Sequence, residues 1–222
     1  MQQSLIITED GSHSLRNELL NETYHSIHGA IQESVHVFIE NGLKQCLKPE
    51  INILEIGFGT GLNAFLTLIE AEKQNISIHY TGIELYPVSE TIWREINYPD
   101  VIAKQQKALF YLLHACEWGK TQQITPHFSF RKMQCDFAAY EPEGMYDLIY
   151  FDAFSPEKQP ELWLNNRFST MAAHCNPGAI LTTYCAKGIV KQALREAGFK
   201  VERLEGPPGK RHMLRGRLLQ QL

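Results

Sequence analysis

The chain predicts an α/β fold with a doubly wound, mostly parallel, seven-stranded sheet, and three observations carry the prediction. Apolar runs of strand length alternate with segments of helical periodicity along most of the 222 residues, which is the order of a βαβ sheet. One such run, Ile53-Leu54-Glu55-Ile56, passes directly into Gly57-Phe58-Gly59-Thr60-Gly61-Leu62-Asn63, with glycines at alternate positions where a strand turns into a helix. Acids close two further strands, at Glu84 and Asp152, and in an open sheet ligands bind beyond the carboxyl ends of the strands.

The elements follow in order. Residues 1–27 are polar, punctuated by Asp10-Gly11, and read as a short extension of extended pieces and turns. From Gly29 to Leu43 the positions Ala30, Ile31, Ser34, Val35, Phe38, Ile39 and Leu43 share one helical face, which predicts a helix ahead of the first strand. The expected division is an N-terminal extension and helix over residues 1–48, packed on a main domain over 49–222. Ile51–Ile56 is the first strand, and a helix from about Leu62 to Gln74 turns Phe65, Leu66 and Ile69 inward. Ile76–Glu84 is the second strand. Residues 85–125 exceed a simple crossover and predict two helices with an inserted segment, and Pro126–Met133 alternates as a third strand. Tyr146–Asp152 is the most apolar run, as a central parallel strand should be. A helix near Glu161–His174, a strand Ala179–Tyr184 and a helix Ile189–Ala197 follow. Gly198–Leu204 and His212–Leu218 are expected to close the sheet as an antiparallel pair around Gly206-Pro207-Pro208-Gly209.

Composition narrows the function classes. With 44% apolar and 21% charged residues the chain is ordinary for a globular protein. No apolar run reaches bilayer length and the start lacks a cationic region followed by an apolar one, so the expected location is cytoplasmic, with no membrane partner. Cys46, Cys116, Cys135, Cys175 and Cys185 are odd in number, without a Cys-x-x-Cys pair, which favours reduced buried thiols. The nine histidines are scattered, and no metal site is expected. A net charge of −4 argues against coating nucleic acid, yet Lys187–Arg217 holds nine basic residues and three acids, a local +6. That run is either a phosphate-facing edge or a solvated helix face followed by a basic strand.

The glycine spacing separates two cofactors. A dinucleotide loop needs Gly-x-Gly-x-x-Gly, whereas here the third glycine comes one residue early, at Gly61, and an acid, Glu55, stands two residues before Gly57. Such a loop lets backbone amides approach a ligand with no Cβ in the way. Glu84, 27 positions after Gly57, suits both hydroxyls of a ribose or is an ordinary solvated acid. Asp136, past the third strand, is an acid that faces a ligand or caps a helix. Asp152 ends the central strand and opens Asp152-Ala153-Phe154-Ser155-Pro156-Glu157-Lys158-Gln159-Pro160-Glu161-Leu162-Trp163. A carboxylate there can orient an amine, stabilise the charge developing on it and help remove its proton. Phe154 packs on a flat base or serves as a core aromatic.

The Glu-x-Gly-x-Gly-x-Gly loop resembles the first motif of class I S-adenosylmethionine-dependent methyltransferases, which have a Rossmann-like fold. Within that class the chain resembles the methyltransferase half of the bifunctional tRNA 5-methylaminomethyl-2-thiouridine biosynthesis family. The matching residues are the whole Gly57–Asn63 loop, then Asp152, Phe154, Pro156, Lys158, Pro160 and Trp163, and then Ala197-Gly198-Phe199 with Gly209-Lys210-Arg211-His212-Met213-Leu214. Together they span roughly residues 50–216. Asp10-Gly11-Ser12 and Tyr24-His25-Ser26 look like the family's opening region. The resemblance implies a methyltransferase domain over 49–222 that uses S-adenosyl-L-methionine to convert 5-aminomethyl-2-thiouridine to 5-methylaminomethyl-2-thiouridine at the tRNA wobble position. It implies Asp152 as catalytic residue facing both amine and cofactor, with Glu55, Gly57, Phe58, Gly59, Gly61, Asn63, Glu84 and Asp136 at the cofactor. On the substrate side it points to Tyr24, Phe154, Lys158, Tyr184, Lys210 and Arg211, the last two near phosphates of the anticodon loop. The partner expected is tRNA and not DNA. The flavin-dependent oxidoreductase half has no counterpart in 222 residues, so the aminomethyl form is the expected substrate, used either by a stand-alone enzyme or with a separate flavin-dependent oxidoreductase acting upstream. The competing readings are a methyltransferase of small-molecule or protein amines, an aminopropyltransferase, and a non-catalytic cofactor- or RNA-binding module.

Overall fold

A computed structural model describes residues 3–219; the outermost residues of the two expected spans, 1–2 and 220–222, lie outside the described residues. The N-terminal stretch is more ordered than its composition suggests. β1 (Gln3–Ile7), β2 (His13–Asn17) and β3 (Glu22–Thr23) form a small antiparallel sheet. The β1–β2 turn closes on Asp10, whose Oδ1 accepts from Thr8 Oγ1 at 2.8 Å and from the Ser12 amide at 3.0 Å. Asp10 Oδ2 also accepts from the Gln32 amide at 3.0 Å, tying the turn to the start of the first helix.

That helix begins as α1 (Ala30–Ser34), widens into a π-helical segment over Val35–Glu40, and stops before a 3₁₀ turn at Leu43–Gln45. The uniform α-helix expected to Leu43 is therefore replaced by a shorter, unwound one. The wider turn changes which side chains face inward, and Val37, Phe38 and Ile39 are all buried in succession.

β4 (Glu50–Ile56), α2 (Leu62–Gln74) and β5 (Ser77–Glu84) follow as a parallel βαβ unit. Next come α3 (Glu90–Trp93), α4 (Tyr98–Ile102) and α5 (Lys107–Ala115), three helices where two were expected. β6 (Thr121–Thr125) then pairs antiparallel with β7 (Phe128–Gln134). β6 is an eighth strand, absent from the sequence reading because only Ile124 in it is buried and its polar residues do not alternate with apolar ones. β8 (Tyr146–Phe151) is buried at all six positions. The expected helix near Glu161–His174 is divided at Leu164 into a 3₁₀ turn, Pro160–Trp163, and α6 (Asn165–Ala173). β9 (Cys175–Thr183), α7 (Gly188–Glu196), β10 (Phe199–Glu205) and β11 (His212–Leu218) complete the chain.

The main sheet has the order β10-β11-β9-β8-β4-β5-β7-β6. Its five inner strands, β9 to β7, run parallel, and both edges are finished by antiparallel partners. Strand alternation sorts the core onto two faces. Ile51, Ile53, Tyr80 and Tyr150 pack with α2 and α5, whereas Leu54, Ile56, Ile149 and Phe151 pack with α6 and α7. β4 lies between β5 and β8, so the chain leaves it in one direction and later returns on the other side. The crevice at this switch point opens at the strands' carboxyl ends.

Candidate functional site

The glycine loop crosses that crevice. Gly57 and Phe58 both donate their amides to the Ile83 carbonyl, at 3.0 and 2.9 Å, which pins the loop between β4 and β5. Gly57 has φ +91°, and a Cβ there would stand 2.6 Å from the Asp152 carbonyl oxygen. The Gly59 amide donates to Glu84 Oε2 at 2.9 Å, while Glu84 Oε1 accepts from the Tyr86 amide at 2.9 Å. Two backbone donors therefore orient Glu84, and each oxygen keeps a lone pair for another donor. Burial raises the Glu84 pKa, an effect that the Tyr86 and Gly59 amides oppose.

Beyond the loop lies a cavity of about 900 Å³. Its floor is built from the ends of β4, β5, β7 and β8, where Gly57, Gly59, Glu84, Asp136 and Asp152 line it. The opposite wall comes from both ends of the chain: Tyr24 follows β3, Tyr184 follows β9, and Lys210 lies in the β10–β11 turn. Phe154 and Lys158 border it from the segment after β8. The Tyr24 and Phe154 rings meet edge to face at 5.0 Å, and the Phe154 carbonyl accepts from Trp163 Nε1 at 2.8 Å.

Five sequence-predicted residues do not line the cavity. Phe58 turns into the core, with its ring 5.6 Å from Phe130 and 5.4 Å from His114. Gly82 makes this possible, since a Cβ there would come within 3.3 Å of the Phe58 ring. Gly61 starts α2 at φ +74°, where a Cβ would be 2.8 Å from His114 Nε2, so its need for glycine is one of packing. Glu55 and Asn63 stand behind Asp152: Asn63 Nδ2 donates to Glu55 Oε1 at 2.9 Å and to Asp152 Oδ2 at 2.8 Å. Burial raises the Glu55 pKa well above the carboxylate range, with Asn63 opposing and the Asp152 charge adding. Arg211 is exposed on the outer surface. Lys210, its neighbour, turns the other way. Its ammonium pairs with Glu33 and sits 4.0 Å from the centre of the Tyr184 ring. Lys210, expected near phosphates on a basic edge, lines the cavity.

Asp152 combines these surroundings. Burial raises its pKa, the nearby Glu33 charge adds, and the Asn63 bond and Lys210 oppose, leaving it at about 7. Its carboxyl is thus divided between acid and base forms near neutrality, the condition under which a group best gives or takes a proton.

Glu33 is the site residue that the sequence reading missed. It is buried on α1, accepts from the Ser26 amide at 2.6 Å, and borders the cavity. A signal was present: Ala30, Glu33 and Val37 are spaced three and four apart, and an acid on an otherwise buried stripe calls for a partner. Glu22 also borders the cavity and accepts from Ser155 Oγ at 3.1 Å.

Known proteins resemble this chain in sequence and in fold. The model of a family described as S-adenosyl-L-methionine-dependent methyltransferase matches residues 119–218. The tRNA 5-methylaminomethyl-2-thiouridine biosynthesis bifunctional protein of Delftia acidovorans is 32% identical over 87% of this chain and 32% of its own length. Its counterpart in Burkholderia thailandensis is 30% identical over 96% of this chain and 34% of its own. The chain thus spans about a third of the length of the curated relatives it matches. Among solved structures, MNMC2 from Aquifex aeolicus superposes with a TM-score of 0.82 at 24% identity, covering 100% of this chain and 73% of that one. A spermidine synthase from Thermotoga maritima gives 0.54 at 12% identity, covering 96% and 71%. Both are likenesses of fold.

Proposed function

We propose that this chain, which matches the model of an S-adenosyl-L-methionine-dependent methyltransferase family over residues 119–218 and is similar to part of the tRNA 5-methylaminomethyl-2-thiouridine biosynthesis bifunctional proteins, methylates the amine of 5-aminomethyl-2-thiouridine at the tRNA wobble position. The product is 5-methylaminomethyl-2-thiouridine. The observation that carries the reading is Asp152: a carboxyl at the cavity floor with a pKa near 7, held by Asn63 at 2.8 Å.

S-adenosyl-L-methionine supplies a methyl group on a sulfonium. The residues fit its binding: Gly57 admits no side chain beside Asp152, and Glu84 keeps lone pairs for hydroxyl donors. We assign Gly59, Glu84 and Asp136 to hold it, and Gly57 to shape the loop. Asp152 in its base form accepts a hydrogen bond from the acceptor amine and takes up the proton that the amine must shed. Asn63 keeps that carboxylate aimed, and Glu55, accepting from the same Asn63 amide, holds Asn63 in place behind it. Tyr24, Phe154 and Tyr184 form the aromatic wall for a base splayed out of its stack, with Lys158 at the mouth. Arg211 and the neighbouring basic residues contact phosphates of the anticodon loop.

The test is mass spectrometry of nucleosides from tRNA carrying the aminomethyl group, incubated with the purified protein and S-adenosyl-L-methionine. A 14-dalton gain on the wobble nucleoside is expected, as one hydrogen is replaced by a methyl group; turnover of small amines with none in RNA overturns the tRNA reading. Asp152→Ala should slow turnover by roughly 10²- to 10⁴-fold while calorimetry still detects cofactor binding. Unchanged turnover removes Asp152 from the mechanism.

A further inference from the structure

Lys210 is a cation where a cation is expected as substrate. Its ammonium lies between the buried Glu33 carboxylate and the face of Tyr184. The Tyr184 hydroxyl donates to the Ala153 carbonyl at 2.9 Å, one residue from Asp152, and the three charged groups line the same cavity. The pair joins residues far apart in sequence, Glu33 on α1 and Lys210 in the β10–β11 turn. Without the lysine, Glu33 and Asp152 would present two carboxyls to an incoming amine. Such a site would bind the ammonium form and hold it, although only the free base has a lone pair for attack.

We propose that Lys210 is a positioning charge of the acceptor site: clamped by Glu33 and Tyr184 beside Asp152, it offsets the negative charge there, so that the acceptor amine is bound as its free base. The proposal rests on the amine-methylation reading above. The balance is simple: the ammonium gives one proton to Asp152 or to water, and the neutral amine stays with its lone pair available. A like charge lining the same cavity favours that loss, as neighbouring cations do for other activated amines. Other groups around Lys210 do not replace it. His25 is held neutral near pH 7, its pKa lowered by burial to about 4. His28, which lies against Gly209, is paired with Glu9 at 3.0 Å. Burial raises the thiol pKa of Cys185. Glu22 is engaged by Ser155.

The sign of the effect makes the test specific. The pH profile of kcat is measured on aminomethyl-tRNA for the wild type, Lys210→Met, Lys210→Arg, Glu33→Gln and the double variant Glu33→Gln/Lys210→Met. Binding of the same tRNA is followed across pH without cofactor. Lys210→Met should move the acidic limb of kcat up by about one pH unit and tighten binding of the ammonium form, and Glu33→Gln should move the limb down. Lys210→Arg should keep the limb in place, and the double variant should return it toward the wild type. A lysine that only ties two segments together predicts losses of the same kind for both single variants, with no shift of the limb, and that result overturns the proposal. The double variant also removes the unpaired buried carboxylate that destabilises Lys210→Met, so folding loss cannot imitate the result. A wild-type protein inactive on this tRNA overturns the tRNA reading and the proposal with it; an active one with unshifted variants overturns the lysine's role alone.

Discussion

Gly57 and Gly59 stand two residues apart with positive φ, yet they need glycine to different degrees. Gly57 has φ +91° and a backbone oxygen, of Asp152, 2.6 Å from where a Cβ would be. Gly59 has φ +50°, inside the left-handed region that other residues can enter, and its Cβ would meet the Tyr24 ring at 3.2 Å. A ring can shift where a strand end cannot. Gly57→Ala should therefore lower stability by on the order of 1–3 kcal/mol and weaken cofactor binding at least about tenfold, while Gly59→Ala costs less in both. Thermal melts and calorimetry on the two variants check the order, and equal losses would falsify the packing argument. At this scale the sequence was read well in kind and less well in aim. The spacing Gly57, Gly59, Gly61 announced the loop, because local backbone freedom is a property of the residue itself. That Gly61 and Phe58 face His114 and the core depends on α5, some fifty residues away in sequence.

Elements were legible wherever their own periodicity decided them. β4, α2, β5, β8 and the β10–β11 pair were all read close to their observed bounds, since each buries a regular set of apolar side chains. β6 was not, because its hydrogen bonds to β7 define it and its side chains do not. The π-helical segment was not either, as widening a helix leaves no mark in an apolar repeat. α5 also carries a titration that bears on stability. His114 stacks on Trp93 at 5.1 Å, and its Nε2–H donates to the Thr60 carbonyl at 3.1 Å. Burial, with Lys132 adding and the Thr60 bond opposing, depresses its pKa from 6.5 to about 3. Between these values the unfolded chain binds a proton that the folded one does not, so stability falls as pH drops from about 6.5 toward 3. The loss approaches about 1.4 kcal/mol per pH unit across that window. Denaturant melts from pH 7 to 4 should show this slope, flattened in His114→Gln; an unchanged slope in the variant assigns the acid sensitivity to other groups, His25 first among them.

The whole molecule arranges its charge in two places that the sequence presented as one. Lys210 and Arg211 are adjacent in the chain, but the first turns into the cavity and the second to the outer surface. Arg211→Ala should thus weaken tRNA binding and reduce the slope of log K against log salt by about 0.7–0.9, whereas Lys210→Met should leave that slope nearly unchanged. Binding measured across a salt series separates them, and equal slopes for Arg211→Ala and wild type would mark the outer basic face as merely solvated. Among the described residues no helix is long and apolar enough to cross a membrane. By itself the sequence determined the α/β sheet, the glycine loop suited to S-adenosyl-L-methionine, and the acids at strand ends, because each is encoded within a short stretch whose period or spacing is its own signal. Only the tertiary structure decided that Glu55 and Asn63 support Asp152 from behind, and that residues from the two ends of the chain, Glu33 and Lys210, meet over Tyr184. That meeting joins partners 177 positions apart, and a contact at such range is set by how whole elements pack, for which no local pattern in the chain stands as a sign.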